Sequence, residues 1–353
     1  MFIIPLIAIG FLIFVHELGH FIVAKLSGVK VSEFVLGFGP KVLKLKRGET
    51  TYGIAAFPLG GYVRMAGMGY AELGWEEELS PEEAHRGFNK QPIWRKAAII
   101  SAGPVMNIII AVILFFVVFL ILGTPVFPNK LAGVSKNSPA AQAGLKKGDR
   151  IVAIEGKEVR YAPEIQKTIR ANPGKKITVV IERGGKLLNL YPTLLKRKDN
   201  TGFLGVEFRV EFKYRGLLSA FAHSIRVTGL VIGQIFAAII GFPKILGALL
   251  AGKASGLSGP VGIYRVTRHV AMQGLVAMLS LLGGLSVSLG IFNFIPLPPL
   301  DGGQVLFAGI EWVRGKPLEK NVTALIQAIG ISFLLLLLLL VTYSDIINPI
   351  PGP

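Results

Sequence analysis

Three uncharged, apolar stretches punctuate the chain: Ala97 to Leu122, Met272 to Ile295 and Asn321 to Tyr343. Each exceeds the roughly 20 helical residues that cross a bilayer's hydrocarbon core, so all three predict membrane spans. The last holds an unbroken leucine run, Leu334 to Leu340, and reads as an anchor. Met1 to Leu26 predicts a fourth span of a different kind. Met1 to Val15 lacks the basic start and small-residue cleavage site of a signal peptide. It leads directly into His16, Glu17 and His20, and stays apolar from Phe21 to Ala24 before Lys25.

Between the spans the period changes. Tyr52 to Met65 alternates and is punctuated by glycine, and Gly60-Gly61-Tyr62-Val63-Arg64-Met65 reads as a turn followed by a short strand. The acidic cluster Glu76, Glu77, Glu78, Glu82 and Glu83 reads as a solvated surface, with Ser80-Pro81 as a helix start. Ala132 to Val159 reads as strand, turn, helix and strand, with Ser138 capping the helix. Val227 to Pro243 is uncharged and at the lower length limit for a span. It holds Gly229, Gly233, Gln234 and Gly241 and is flanked by His223, Arg226 and Lys244, as an interfacial helix would be.

Composition agrees with a membrane protein: 52% of the 353 residues are hydrophobic. The net charge of +17 is spread over loops rather than gathered with aromatics, which favours anionic lipid headgroups over nucleic acid as its partner. The absence of cysteine excludes disulfides, thiolate metal sites and thiol nucleophiles.

His16-Glu17-Leu18-Gly19-His20 is an H-E-x-x-H motif inside a span. Residues four apart share one helical face, so both imidazoles reach one metal ion, and Glu17 beside them is placed to take a proton from water. Three polar groups in an apolar helix are costly unless something compensates them, and zinc with a third ligand does so. Among the remaining candidates, His85, His223 and His269 read as surface residues. Asp301 is better placed. It follows the third span in Asn293-Phe294-Ile295-Pro296-Leu297-Pro298-Pro299-Leu300-Asp301-Gly302-Gly303, where prolines stop the helix beside a carboxylate. The plainer alternative is a proline-rich turn with a solvated aspartate. Asn107 in the second span fits either a cavity-lining role or an interhelical hydrogen bond.

These motifs resemble the site-2 protease family of intramembrane zinc metalloproteases: H-E-x-x-H in the first span and N-x-x-P-x-P-x-L-D-G after the third. Gly37-Phe38-Gly39-Pro40 and Ser258-Gly259-Pro260-Val261-Gly262 resemble its bacterial RseP-like group. Ser138 to Leu145, Gly148-Asp149-Arg150-Ile151 and Ile154-Glu155-Gly156 resemble a bacterial PDZ domain. The resemblance implies zinc held by His16, His20 and Asp301, with Glu17 as catalytic base. Asn293, Pro296 and Pro298 match the family's segment near the substrate. Gly61, Tyr62, Val63, Arg64 and Met65 match a membrane-re-entrant β-hairpin that pairs with it. Family members often carry two PDZ domains; this chain has room for one.

The expected fold class is a polytopic α-helical membrane protein with four transmembrane helices, a re-entrant β-hairpin and an inserted α+β PDZ domain. The expected order is span 1–26, hairpin-bearing cytoplasmic loop 27–96, span 97–122, PDZ domain 123–212, interfacial amphipathic helices 213–271, span 272–295, a loop 296–320 with the aspartate ligand, and span 321–343. His20 and Asp301 must share one membrane face, so two crossings lie between them and 227–243 stays at the interface. Lys25, Lys30, Arg95, Lys96, Lys316 and Lys320 flank the spans and favour a cytoplasmic zinc face with an external PDZ domain. The expected function is cleavage of single-span membrane proteins in a bacterial inner membrane, such as an anti-sigma factor or remnant signal peptides. A peptide or C-terminus is expected at the PDZ domain. The rivals are a catalytically idle PDZ-bearing scaffold and an ion transporter, the latter without the span repeats it would show.

Overall fold

The structure, a computed structural model, describes residues 3–68, 80–81, 83–197, 199–252, 257–316 and 318–348. The acidic residues Glu76, Glu77, Glu78 and Glu82 lie outside these. The chain forms two compact units, one of Met1–Ile121 with Phe221–Pro353 and one of Leu122–Ala220.

Helix α1 (Ile3–Leu26) ends where Gly28, at φ +79°, donates its N–H to the Lys25 carbonyl. That left-handed residue turns the chain into β1 (Val31–Arg47), which pairs with β2 (Thr50–Met65). The hairpin folds back on itself. Residues 31–36 pair with 61–65 on one side and 51–54 on the other, while 41–47 pair with 50–55. Sharp bends permit this: Gly37 and Gly60 have φ of +87° and +102°, and a Cβ on Gly37 would stand 2.5 Å from the Phe57 carbonyl oxygen. Segment 61–65 therefore lies at a sheet edge, with no strand partner on its outer side among the described residues. Where Ser80-Pro81 predicted a helix start there is only a turn, with the Glu83 N–H bonded to Ser80 Oγ, and then two short 3-10 turns stopped at the extended Gly87 and Gln91.

Helix α2 (Ile93–Leu122) starts four residues before the uncharged stretch and takes in Arg95 and Lys96. Beyond it lies the second unit, with β3 (Thr124–Val126), β4 (Leu131–Val134), α3 (Pro139–Gln142), β5 (Arg150–Ile154), β6 (Lys157–Glu158) and α4 (Ala162–Arg170). Then follow β7 (Val179–Arg183), β8 (Lys186–Leu190), β9 (Leu195–Lys196), β10 (Gly202–Phe203), β11 (Val206–Phe208) and β12 (Glu211–Lys213). The main sheet has the order β6-β5-β7-β8, and β4 pairs with β11. Ser138 caps α3, its Oγ accepting from the Ala141 N–H. The core is aliphatic, built on Leu131, Ile151, Ile165, Ile181, Leu194 and Leu204.

Asp149, 2% exposed, accepts from Arg183 through both carboxylate oxygens and from the Lys146 N–H. Burial pushes its carboxyl up, but the Arg183 and Lys146 hydrogen bonds outweigh that and hold it below the ordinary value. Its contribution to stability is therefore present above the ordinary carboxylate range and lost as pH falls through the depressed pKa. Asp149→Ala is expected to cost this unit about 2 kcal/mol, read as an earlier denaturant midpoint in the full chain.

The second unit leads into α5 (Leu217–Ile240), α6 (Phe242–Leu250) and α7 (Pro260–Met272), followed by α8 (Leu275–Asn293), α9 (Asp301–Arg314) and α10 (Lys320–Ile347). Helix α8 runs antiparallel to α2, with Gly283 against Phe115 and Gly290 against the Pro104 carbonyl. Among the described residues, five helices, α1, α2, α5, α8 and α10, are long and apolar enough to cross a membrane by length and composition. The stretch 296–320, expected as a loop, contains α9. Gly302 and Gly303 do not break that helix. They let it pack under the turn before it, where Cβ atoms would stand 2.4 Å from the Ile295 oxygen and the Pro298 nitrogen.

Candidate metal centre

Helix α1 puts His16 and His20 one turn apart on its inner face, both 8% exposed. Close contact with α2 is possible because Gly19 and Gly103 carry no side chain. A Cβ on Gly19 would stand 2.3 Å from the Ala102 oxygen, and one on Gly103 2.2 Å from His20 Nε2. The first residue of α9 supplies Asp301. Its Oδ2 lies 3.1 Å from His16 Nε2 and 3.5 Å from His20 Nε2, and the two Nε2 atoms are 3.2 Å apart. Tetrahedral ligands bound at about 2.0–2.1 Å stand about 3.3 Å from one another, so the three atoms match the edges of a zinc site. Asp301 Oδ2 is buried and, among the described residues, lacks a hydrogen-bond partner of good geometry, as a carboxylate oxygen directed at a cation would. The residues present fit zinc.

The outer ring nitrogens are also held. His20 Nδ1 donates to the Ile99 carbonyl at 2.9 Å, which leaves Nε2 with its lone pair for a metal. Asn107 is fully buried, with its amide 3.1 Å from His16 Nδ1 and its backbone carbonyl accepting from Ser286 of α8 at 2.7 Å. The amide Nδ2 faces the ring while Oδ1 has no partner among the described residues; with the amide turned about, Oδ1 accepts the Nδ1 hydrogen bond and orients His16 likewise. Of the two sequence-level readings of Asn107, the interhelical hydrogen bond is the one seen; the residue does not line the cavity described next, but it touches a candidate ligand and ties helices together.

A cavity of about 360 Å³ opens on this cluster, lined by His16, Glu17, His20 and Asp301 and by the edge segment Gly61 to Met65. Gly61 faces Glu17: a Cβ there would meet Glu17 Cγ at 3.0 Å and the Val35 oxygen at 3.1 Å. On the sheet's other face, Glu33 accepts from Tyr62 Oη at 2.9 Å and from Lys41 Nζ at 2.5 Å, with Arg64 Nε at 3.9 Å. Burial pushes the Glu33 carboxyl up, but the hydrogen bonds from Lys41 and Tyr62 and the Arg64 charge hold it below its ordinary value. Burial and the bond to Glu33 push Tyr62 up to about 12. Both groups therefore keep one charge state across the physiological range, and the edge segment stays braced.

The proline segment divides. Pro299 lines the cavity, whereas Asn293, Pro296 and Pro298 do not. Pro298 is buried against Gly303 and Gly330, Pro296 is exposed, and Asn293 ends α8. Sequence reasoning missed Gln304, which lines the cavity one turn beyond Asp301; a helix assigned from Asp301 onward would have exposed it through its i+3 spacing.

The model of peptidase family M50 matches residues 4–337. The chain belongs to this family. The relatives of this M50 peptidase include the regulator of sigma-W protease RasP of Bacillus subtilis, 34% identical with 97% of each chain covered. The zinc metalloprotease RasP of Bacillus licheniformis is also 34% identical, with 96% of each covered. Among solved structures, the PDZ domain of the SdrC-like protein from Listeria monocytogenes is 23% identical, covering 22% of this chain and 84% of that one at a TM-score of 0.21. The protein is a multi-pass membrane zinc metalloprotease of the site-2 type.

Proposed function

We propose that His16, His20 and Asp301 hold the zinc, that Glu17 is the catalytic base, and that the cavity cuts single-span membrane proteins within the bilayer. One observation carries this reading: three ligand atoms converge in a buried cavity that also contains Glu17 and a sheet edge. Zinc supplies Lewis acidity toward a carbonyl oxygen and makes hydroxide available near neutral pH. Glu17 takes the proton from the attacking water and returns it to the departing amide nitrogen as the C–N bond breaks. A transmembrane substrate hides its carbonyls in helical hydrogen bonds, and lipid gives them no partners once it is unwound. Segment 61–65 offers the backbone partners, so the substrate joins the sheet as an extended strand. Asn293, Pro296 and Pro298 then act by shaping the turn that delivers Asp301 and Pro299. Chelation is expected to stop cleavage of a model transmembrane peptide by the full-length protein, and added zinc to restore it. Cleavage by metal-free protein would overturn the reading.

Crowding near the base should be felt. Gly61→Val is expected to lower kcat about 10-fold with zinc content unchanged, because its side chain displaces Glu17. Single-turnover cleavage together with metal analysis checks this.

Four spans and an interfacial α5 are supported by where α5 begins and where the chain stands after α6. Phe221 and His223 of α5 pack on Phe116 and Phe119, near the C-terminal end of α2. Past α6, the Gly252 carbonyl accepts from Asn348 at the end of α10, and the Gly262 N–H of α7 donates to Asp345 Oδ2. The C-terminal end of α10 lies about 27 Å along its axis from Gly330, which packs on Pro298 just before Asp301. A perpendicular α5 would carry the chain about 36 Å away, and α6 returns it only about 14 Å. The zinc face is then cytoplasmic and the PDZ-like unit external, in a bacterial inner membrane. Exposed Trp94 beside Arg95, and exposed Trp312, suit headgroup depth on the zinc face. The contacts of His20 with Ile99 and of His16 with Asn107, about 6–18 Å along α2 from Arg95, support a ligand position inside the hydrocarbon.

The name of the Bacillus subtilis relative favours an anti-sigma factor as substrate; remnant signal peptides suit the same cavity. In the PDZ-like unit, a groove between Gln166, Ile169 and Arg170 of α4 and β11 suits an extended peptide or a free C-terminus. Arg197, over the Phe203 ring at 4.3 Å, supplies positive charge for a carboxylate there.

A further inference from the structure

Lys96 is buried in the first turn of α2, and its Nζ lies 2.9 Å from Glu311 Oε1 in the last turn of α9. The two side chains are 8% and 27% exposed. Each charge opposes its own helix. A cation at a helix N-terminus and an anion at a C-terminus are both disfavoured by the backbone dipoles. A half-buried ion pair is also no general source of stability, since desolvation offsets its attraction. Local energetics therefore do not account for the pair.

Its place between the two helices does. Helix α9 presents Asp301, Gln304, Ala308 and Glu311 along one face, at i, i+3, i+7 and i+10. Helix α2 presents Lys96, Ile99, Ile100 and Gly103. Ile99 holds His20 through its carbonyl and Gly103 leaves space for the ring, while Asp301 closes the ligand set from α9. Between these faces lies a second cavity of about 300 Å³, lined by Lys96, Ile100, Gln304, Ala308 and Glu311 among others. Side-chain packing consequently does not fix the spacing of α9 from α2 over this stretch. The ion pair sits at the far end of the gap from the metal ligands.

We propose that the Lys96–Glu311 pair is a positioning tether that sets Asp301 against the two histidines and thereby sets zinc affinity. The inference rests on the ligand assignment above. Loss of the tether lets α9 pivot, so that Asp301 leaves the distance at which one ion bridges all three residues. Groups that orient metal ligands are typically worth about 10–100-fold in metal affinity, and this pair is expected to fall in that range.

The test measures zinc affinity by chelator competition on the full-length protein in detergent. The variants are Lys96→Met, Glu311→Gln, the exchange Lys96→Glu with Glu311→Lys, and Asp301→Ala. Both single variants are expected to bind zinc about 10–100-fold more weakly, with cleavage restored by excess zinc, and the exchanged pair to recover most of the affinity. Thermal unfolding with and without chelator separates this from a role in folding: at one fixed zinc concentration the single variants should show a smaller zinc-dependent rise in Tm while the metal-free Tm stays near that of the wild type. Wild-type affinity in both single variants, or an equal Tm loss with and without zinc, overturns the tether while Asp301→Ala still loses the metal. Zinc binding that survives Asp301→Ala overturns the ligand assignment itself.

Discussion

Glu17→Gln is expected to retain zinc at wild-type stoichiometry and to lose about 10²–10⁴-fold in kcat on a transmembrane substrate, the usual worth of a general base. The amide is nearly isosteric with the carboxylate, so the cavity lined by His16, His20, Asp301 and Gly61 keeps its shape. What disappears is the capacity to accept a proton from water and pass it to the leaving nitrogen. The proposed substrate pairing along 61–65 does not involve the Glu17 carboxylate, so KM should stay within a few-fold of wild type. A variant with full metal and full cleavage would remove Glu17 from the reaction. One that loses metal as well would make Glu17 a ligand instead of a base. The measurement therefore requires metal analysis and single-turnover cleavage on the same preparation.

The polar part of this site was the most legible in the sequence, because the bilayer makes polar groups conspicuous. His16, Glu17 and His20 are separated from other charges by apolar residues, and the four-residue spacing fixes their shared face. Asp301 stood out next to prolines that end a span. Its surroundings were harder to read. Gly302-Gly303 after three prolines carries every local signal of a loop, yet both residues are helical and are glycine because backbone atoms of 294–298 approach them. Propensity was overridden by packing. Lys96 was similarly ambiguous: a lysine at the head of a span reads as a solvated flank, and only α9 shows that it is buried against Glu311.

The hairpin was half legible. Alternation marked 62–65 as a strand, but the return of 31–36 to pair with two partners depends on contacts between residues about 30 positions apart, which no local pattern encodes. Val227 to Pro243 was ambiguous for the opposite reason. Its composition permits a span, and the α5 helix of 24 residues is long enough for one. The positions of Gly252 and Asn348, fixed by tertiary contact, are what argue for the interface.

Gly103→Ala is expected to weaken zinc binding at least about 100-fold and to abolish cleavage at ambient zinc, although it adds one methyl group to a helix that tolerates alanine well. The Cβ would stand 2.2 Å from His20 Nε2, 2.7 Å from Cε1 and 2.8 Å from Cδ2, distances at which one side must move. The ring has little freedom to do so. Its Nδ1 is bonded to the Ile99 carbonyl, one turn earlier on the same helix, and Gly19 packs against the Ala102 carbonyl so that α1 cannot back away without opening the interface. Rotating the imidazole breaks the Ile99 hydrogen bond and turns Nε2 away from Asp301; separating the helices carries His16 away from Asn107. Either response spoils the ligand triangle. Helical propensity alone would make this substitution stabilising by about 1 kcal/mol, so the metal-free protein should melt no earlier than the metal-free wild type unless the helices part. Isothermal zinc titration alongside Tm in chelator distinguishes the outcomes. Zinc affinity within a few-fold of wild type would show that His20 is not a ligand held at this contact.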